Sequence, residues 1–302
     1  GKSTLLETIF NIKLPTATGT CTKCPIVIKS KNINLKEKKY KLESDNIIEE
    51  IDEENICERI KDLQNIHTQY GNLVSNKEII LQIEGSDLLD ITIVDLPGII
   101  HDGEKDVETI QDTIKKYIKQ DNTLILVVNP ATSDEELNTA QKLAKTFDDK
   151  KKRTMTIYTK CDILDTHMIT KEEKEKKCKK INDADNTHAV ICKNKDGINY
   201  NEKYELTILE KYNISEEKSG INNLKKKLEN TFCELIKVNA PEFEKNIVEK
   251  IYKCKEDLSK LGERNKEKSE IVRDIKNIFL KEFNKKELKQ YFMKFKELIK
   301  IE

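Results

Sequence analysis

No run of apolar residues in this chain is long enough to cross a bilayer, and no apolar segment near its start resembles the core of a secretory leader. Charge of one sign is also missing: Lys and Arg number 55 and Asp and Glu number 55, for a formal net charge of 0. With no net field, neither nucleic acid nor an anionic membrane is drawn to the chain as a whole. The eight cysteines follow no regular framework, which points to free thiols in a reducing, cytoplasmic setting. At 302 residues the chain suits one large domain with an appendage, or two domains.

What is present centres on Ile91-Thr92-Ile93-Val94-Asp95-Leu96-Pro97-Gly98. It reads as a buried strand that ends in an aspartate and enters a loop closed by glycine. P-loop nucleotidases place an aspartate there to hold Mg²⁺ through water, and a glycine without Cβ lets a backbone N–H approach the γ-phosphate. Gly1-Lys2-Ser3-Thr4 matches the second half of a P-loop: a glycine for the turn, a lysine for the β/γ-phosphates and a serine hydroxyl for Mg²⁺. Leu5, Leu6, Ile9 and Phe10 then fall on one helical face. The strand and the first half of the cradle that such a loop requires do not precede Gly1 in this sequence.

Residues 14–25 form a loop punctuated by Pro15, Gly19 and Pro25, with Thr22 poised before a strand at Ile26–Ile28 to coordinate Mg²⁺ and fix an attacking water. Cys21 and Cys24 are spaced C-x-x-C, but no second ligand pair suits zinc and no following helix suits a redox motif. A polar strand is expected over 36–44, an amphipathic helix over 47–66, and a strand at Ile79–Ile83 pairing with Ile91–Val94. A helix carries Ile110, Ile114, Tyr117 and Ile118. The apolar run Thr123–Val128 predicts a strand covered on both faces, and Ser133–Phe147 a helix capped by Ser133 with Glu136.

Strand Thr154–Tyr158 runs into Thr159-Lys160-Cys161-Asp162. A carboxylate there accepts both the ring N–H and the exocyclic amine of guanine, a pair that adenine lacks. The Lys160 stem lies along the base plane. Residues 188–194 read as a further strand running into a loop, where a backbone N–H of Cys192-Lys193-Asn194 can cap the guanine carbonyl. From Gly220 the pattern turns helical: one stripe through Ile221, Leu224 and Leu228 breaks at Pro241, a second ends at Gly262, and a third runs from Ile271.

Together these motifs resemble the GTPase domain and hinge helices of the dynamin superfamily, in its Mx and classical dynamin branch. Gly1–Thr4, Leu14-Pro15 with Gly19, Thr22–Pro25, Asp95–Gly98 and Thr159–Asp162 carry the resemblance, as does Asn129–Asp134. It implies an α/β fold, a doubly wound mixed P-loop GTPase sheet lacking its first strand, followed by long C-terminal helices. The GTPase domain is expected over 1–236, with a helical hinge and the beginning of a stalk over 237–302. It also implies GTP with Mg²⁺, and a monovalent cation as a further cofactor. Lys2 and Thr22 are the expected catalytic residues. Gly1, Lys2, Ser3, Thr4, Asp95, Gly98, Thr159, Lys160, Asp162, Asp165, Cys192, Lys193 and Asn194 are expected on the nucleotide, and Ser3, Thr22 and Asp95 at the metal. Ala17 stands where the family has a glycine, and Ile99 where Ras-like enzymes place a glutamine. The expected partners are a second copy, through a GTPase-domain dimer that uses Asp134 and through helical assembly, and a membrane surface or microtubules; nucleic acid is not among them.

Loss of a central strand is comparable with the whole stability of a domain, about 5–15 kcal/mol. The chain by itself is therefore expected to be a marginally stable piece of a longer protein that binds GTP weakly, which a mant-GTP titration measures. Two classes of function follow: a GTP hydrolase that couples turnover to self-assembly in membrane remodelling, or a non-catalytic helical scaffold with a degenerate site. Lys2→Ala and Thr22→Ala disable the first and leave assembly by the second unchanged.

Overall fold

Isoleucine and valine at alternate positions build the sheets of this protein. The computed structural model describes residues 1–16, 22–45, 47–68, 73–99, 104–133, 139–165, 170–193, 200–260 and 273. They fall in two units, Gly1–Asn239 and Ala240–Glu302. Within the first, β1 (Ile26–Asn32) lies between β4 (Ile79–Gly85), which is parallel to it, and β5 (Ile91–Asp95), which is antiparallel. On the far side of β4 come β2 (Lys39–Ser44) and then β3 (Ile47–Ile51), each antiparallel to its neighbour, giving the order β3-β2-β4-β1-β5. A second set, β6 (Ile125–Pro130), β7 (Thr154–Thr159) and β8 (Thr187–Ala189), is parallel throughout. The mixed α/β architecture is thus divided into five hydrogen-bonded strands and three.

One core joins the two sets. Helix α1 (Lys2–Phe10) buries Leu5, Leu6, Ile9 and Phe10 in a cluster that holds Ile28 of β1, Ile93 of β5, and Met155 and Ile157 of β7. The helix stops where Asn11 takes a left-handed φ of 52° and returns its N–H to Glu7 O, the usual chemistry of a C-terminal cap. Helix α2 (Ile56–His67) adds Ile56, Ile60 and Leu63 to the same cluster. On β6, Ile125 and Val127 face a separate core with Ile110, Ile114 and Ile118 of α3 (Glu104–Ile118) and Ala144 of α4 (Thr139–Phe147). Leu126 and Val128 pack the other way, against the α1 core, so this strand is covered on both faces as its apolar run suggests.

Several local expectations change. Residues 47–51 are a strand, and the helix begins only at Ile56. Ile47 and Ile51 suit either period, and pairing of Ile51 with Tyr40 and of Ile47 with Ser44 decides for the β-branched residues' extended form. β4 and β5 do not pair; β1 lies between them, giving one edge to a parallel ladder with β4 and the other to an antiparallel ladder with β5. Strand β8 (Thr187–Ala189) gives way to a loop from Val190, as the reading of 188–194 expects. Helix α7 (Ile221–Lys260) runs through Pro241 without a break; the proline removes one N–H from the ladder, and the turns on either side continue. The Ser133 hydroxyl donates to Pro130 O at 2.8 Å, and the proposed capping partner Glu136 lies outside the described residues, as does the stripe from Ile271. Two helices had no counterpart in the pattern: α5 (Lys171–Asp183), started by a Thr170–Glu173 capping box, and α6 (Glu202–Lys211), capped by Asn201.

His188 lies buried on β8, its Nε2 bonded to Gly220 O at 2.8 Å and its Nδ1 without a hydrogen-bond partner among the described residues. Burial, reinforced by Lys227 and only partly opposed by the Gly220 bond, lowers its pKa to about 4. The unfolded chain protonates this ring first, so its contribution is complete above about pH 6.5 and is lost as pH falls towards 4. His188→Asn is expected to lower stability at pH 7 and to close the gap to the wild type by about 2–3 kcal/mol at pH 4.5. Urea unfolding at both pH values measures this, and a gap independent of pH counts against it.

Candidate functional site

The first turn of α1 sits where β5 and β7 end. Gly1 O accepts from Leu5 N at 2.9 Å, and no side chain caps the helix. Its first N–H groups and the positive end of its dipole are thus directed at whatever lies beyond Gly1, and they favour an anion. Ser3 Oγ donates to Asp95 Oδ2 at 2.6 Å, Thr22 Oγ1 donates to the same oxygen at 3.2 Å, and the two hydroxyls are 3.3 Å apart. Residues from α1, the loop before β1 and the end of β5 therefore meet at one point.

Asp95 is only 2 % exposed, yet its Oδ1 has no hydrogen-bond partner among the described residues. Burial pushes this carboxyl up, against the Ser3 bond, the Lys2 charge and the Thr22 bond, which pull it down. A buried carboxylate oxygen lacking a donor, beside two hydroxyls, is an all-oxygen set suited to a hard divalent cation. Among the described residues no group of three His, Cys, Asp or Glu side chains could hold a metal. That agrees with Mg²⁺, which takes one or two protein oxygens and completes its shell with phosphate and water.

Lys2 and Gly98 are adjacent: a Cβ built on Gly98 lies 3.7 Å from Lys2 Nζ. That is ordinary contact distance, so the Lys2 ammonium lies directly beside the Gly98 backbone. The base motif closes on the other flank, where a Cβ built on Gly1 lies 3.8 Å from Thr159 Oγ1. Lys160 takes a left-handed φ of 55°, an uncommon conformation for a side-chain-bearing residue. This turn puts Lys160 in solvent, while Cys161 is buried with its Sγ donating to Tyr158 O at 3.4 Å. Asp162 is 4 % exposed. Lys160 and Lys2 both lie close enough to Gly1 for their charges to act on the same small region.

Cys192 and Lys193 lie against the second half of α1. Burial pushes the Cys192 thiol up to about 12 against a bond from Thr8, and Lys193 Nζ lies 3.5 Å from Glu7 Oε2. Ile99 packs into the α3 core and presents nothing that could orient water. Asn194 and Asp134 lie outside the described residues, as does the side chain of Asp165. Cys21 of the C-x-x-C also lies outside them; Cys24 is fully buried, its thiol pushed up to about 12 by that burial.

Gln64 went unnoticed in the sequence. It is a buried residue of α2 whose Oε1 accepts from Lys23 N at 2.5 Å, while Lys23 O accepts from Ser75 N at 2.9 Å. The peptide next to Thr22 is thereby held from both sides. A lone glutamine on an amphipathic helix carries no signal of such a role.

Comparison with known proteins agrees with this geometry. The pattern of the dynamin family matches residues 1–161. An interferon-induced GTP-binding protein Mx of Ctenopharyngodon idella is 31% identical over 288 residues, covering 87% of this chain and 45% of the relative. The MxC protein of Danio rerio is 30% identical over 327 aligned positions, 100% of this chain and 50% of the relative. The MxE protein of the same fish is 36% identical over 175 residues, or 56% and 28%. The chain spans about half the length of the curated relatives covering most of it. A family match over residues 1–161 and relatives of 30–31% identity covering most of the chain make this protein a member of the dynamin family.

Proposed function

We propose that this protein binds GTP with Mg²⁺ and hydrolyses it to GDP and phosphate, coupling turnover to association with further copies of itself. The observation that carries this reading is the meeting of Ser3 and Thr22 on Asp95, whose second oxygen lacks a donor, with Lys2 alongside Gly98. Ser3, Thr22 and Asp95, the last through water, are the residues that would hold Mg²⁺, which when bound neutralises charge on the β- and γ-phosphates.

Lys2 places a positive charge on the γ-phosphate oxygens as the bond to the β-phosphate breaks. Thr22, fixed through the Lys23–Gln64 bond, orients the attacking water. Gly1, Thr4 and Gly98 bring backbone N–H groups to the phosphates. Asp162 accepts from the guanine edge, with Thr159, Lys160, Asp165 and Cys192–Asn194 around the base. A monovalent cation is a further cofactor in this reading.

The relatives are named GTP-binding, and that name supports the choice of nucleotide. We take 1–236 as the GTPase domain and 237–302 as hinge and early stalk. A second copy contacts it through Asp134 and through the helices, in the cytoplasm and at a membrane surface or microtubule, in membrane remodelling. No helix among the described residues is long and apolar enough to cross a membrane.

Turnover per molecule is expected to rise with protein concentration, and Lys2→Ala and Thr22→Ala are expected to remove that rise. Phosphate release measured across a dilution series with light scattering in parallel decides the matter. Association that both variants leave intact, with turnover that is flat or absent, fits the scaffold instead.

A further inference from the structure

Glu205, on α6, is enclosed, with 0 % of its surface exposed. Its carboxylate takes donors from three separate segments. Ile191 N–H donates to Oε1 at 2.8 Å; Ile221 N–H, at 3.0 Å, and the Tyr200 hydroxyl, at 2.9 Å, donate to Oε2. Ile191 immediately precedes Cys192 and Lys193, and Ile221 is the first residue of α7. The backbone reinforces the same junction, with Gly220 N donating to Ala189 O at 3.0 Å. Gly220 itself has a φ of +83°, and a Cβ there comes within 3.2 Å of Leu206 Cδ2 and 3.5 Å of Glu205 Oε2. The helix start thus lies directly over the carboxylate, with a glycine turn that few other residues could make.

Enclosing a carboxylate is costly: burial drives its pKa up, and only the bonds from Ile191, Ile221 and Tyr200 oppose this. An apolar residue fills such a space at less cost. What only a carboxylate supplies here is an acceptor on both sides at once, one for each backbone N–H. Glutamine has the same shape but one acceptor and one donor end. Turned either way, it meets the N–H of Ile191 or of Ile221 with an N–H of its own.

We propose that Glu205 is a positioning residue that ties the loop at Cys192–Lys193 to the first turn of α7, so that a guanine nucleotide held by the loop orders the helix start. The coupling part rests on the GTP-binding reading above; the tie itself does not. By linkage, the factor that nucleotide adds to order in α7 is the factor by which an ordered α7 tightens nucleotide.

Hydrogen exchange of the full chain, with and without GDP, on wild type, Glu205→Gln and Tyr200→Phe tests both parts. Without nucleotide, E205Q is expected to speed exchange at the 191 or the 221 amide by on the order of 10-fold. The β1 and β4 amides, unchanged, show that the fold persists, and Y200F, which keeps both backbone donors, matches wild type. With GDP, wild type and Y200F gain about fivefold or more protection over 221–224, while E205Q binds mant-GDP without that gain. Wild-type exchange at both amides in E205Q overturns the tie. Protection of 221–224 that survives in E205Q, or is missing from a wild type that binds GDP, overturns the coupling. A wild type that fails to bind GDP overturns the nucleotide reading and the coupling with it, and the nucleotide-free comparison still decides the tie.

Discussion

Asp162→Asn is expected to shift the preferred base from guanine to xanthine, weakening GTP relative to XTP by about 10⁴-fold. In the proposed site the carboxylate would accept two donors on the guanine edge, the ring N–H and the exocyclic amine. Asparagine keeps one acceptor and turns an N–H₂ towards the other position. Guanine then has a donor facing a donor, and at 4 % exposure water cannot enter to relieve it. Xanthine carries a carbonyl where guanine has its amine, so the new N–H₂ finds a partner. Tyr212 Oη donates to the Asp162 backbone carbonyl at 3.5 Å, a contact the substitution leaves in place. Competition of GTP and XTP against a mant-nucleotide on both proteins measures the shift. Equal GTP affinity in wild type and D162N, with no gain for XTP, removes Asp162 from the base site.

Lys2→Ala is expected to lower single-turnover hydrolysis by about 10²–10³-fold, the usual cost of removing one preorganised charge or donor from a developing anion. Lys2 is held between the first turn of α1 and Gly98, so its charge is delivered without reorganisation. Its charge also pulls the Asp95 pKa down against the rise caused by burial, so Lys2→Ala is expected to weaken the proposed cation site as well as the proposed phosphate contact. Lys2→Arg is not expected to rescue, because a planar guanidinium fork does not reproduce the compact point charge of an ammonium. Quench-flow under saturating enzyme, with nucleotide affinity measured alongside, separates the two losses. Wild-type turnover in K2A leaves the phosphate assignment without support.

Much of the site could be read directly because each motif is local. Asp95 ends a strand whose alternation is visible in Ile91, Ile93 and Asp95 themselves, and Leu5, Leu6, Ile9 and Phe10 mark the inner face of α1 by spacing alone. Strand pairing was not local. Ile79–Ile83 and Ile91–Val94 are neighbours in the chain with a short link, yet β1, far earlier in sequence, separates them. The segment 47–51 satisfied a helical period and a strand period alike, and only the presence of β2 chose between them. Gln64 and Glu205 escaped notice because a single polar residue on an amphipathic helix looks solvated until its surroundings are known.

The amino-acid order by itself determined which groups are available: a lysine and a serine at the head of a helix, a threonine before a strand, an aspartate after one, and a second aspartate behind a threonine and a lysine. Each is set by chemistry within a few residues. Only the tertiary structure brought Ser3 and Thr22 onto one oxygen of Asp95, across separations of 92 and 73 positions, and only it closed three donors around Glu205. Those meetings depend on packing one apolar core between two strand sets, a non-directional force that no short stretch of sequence encodes.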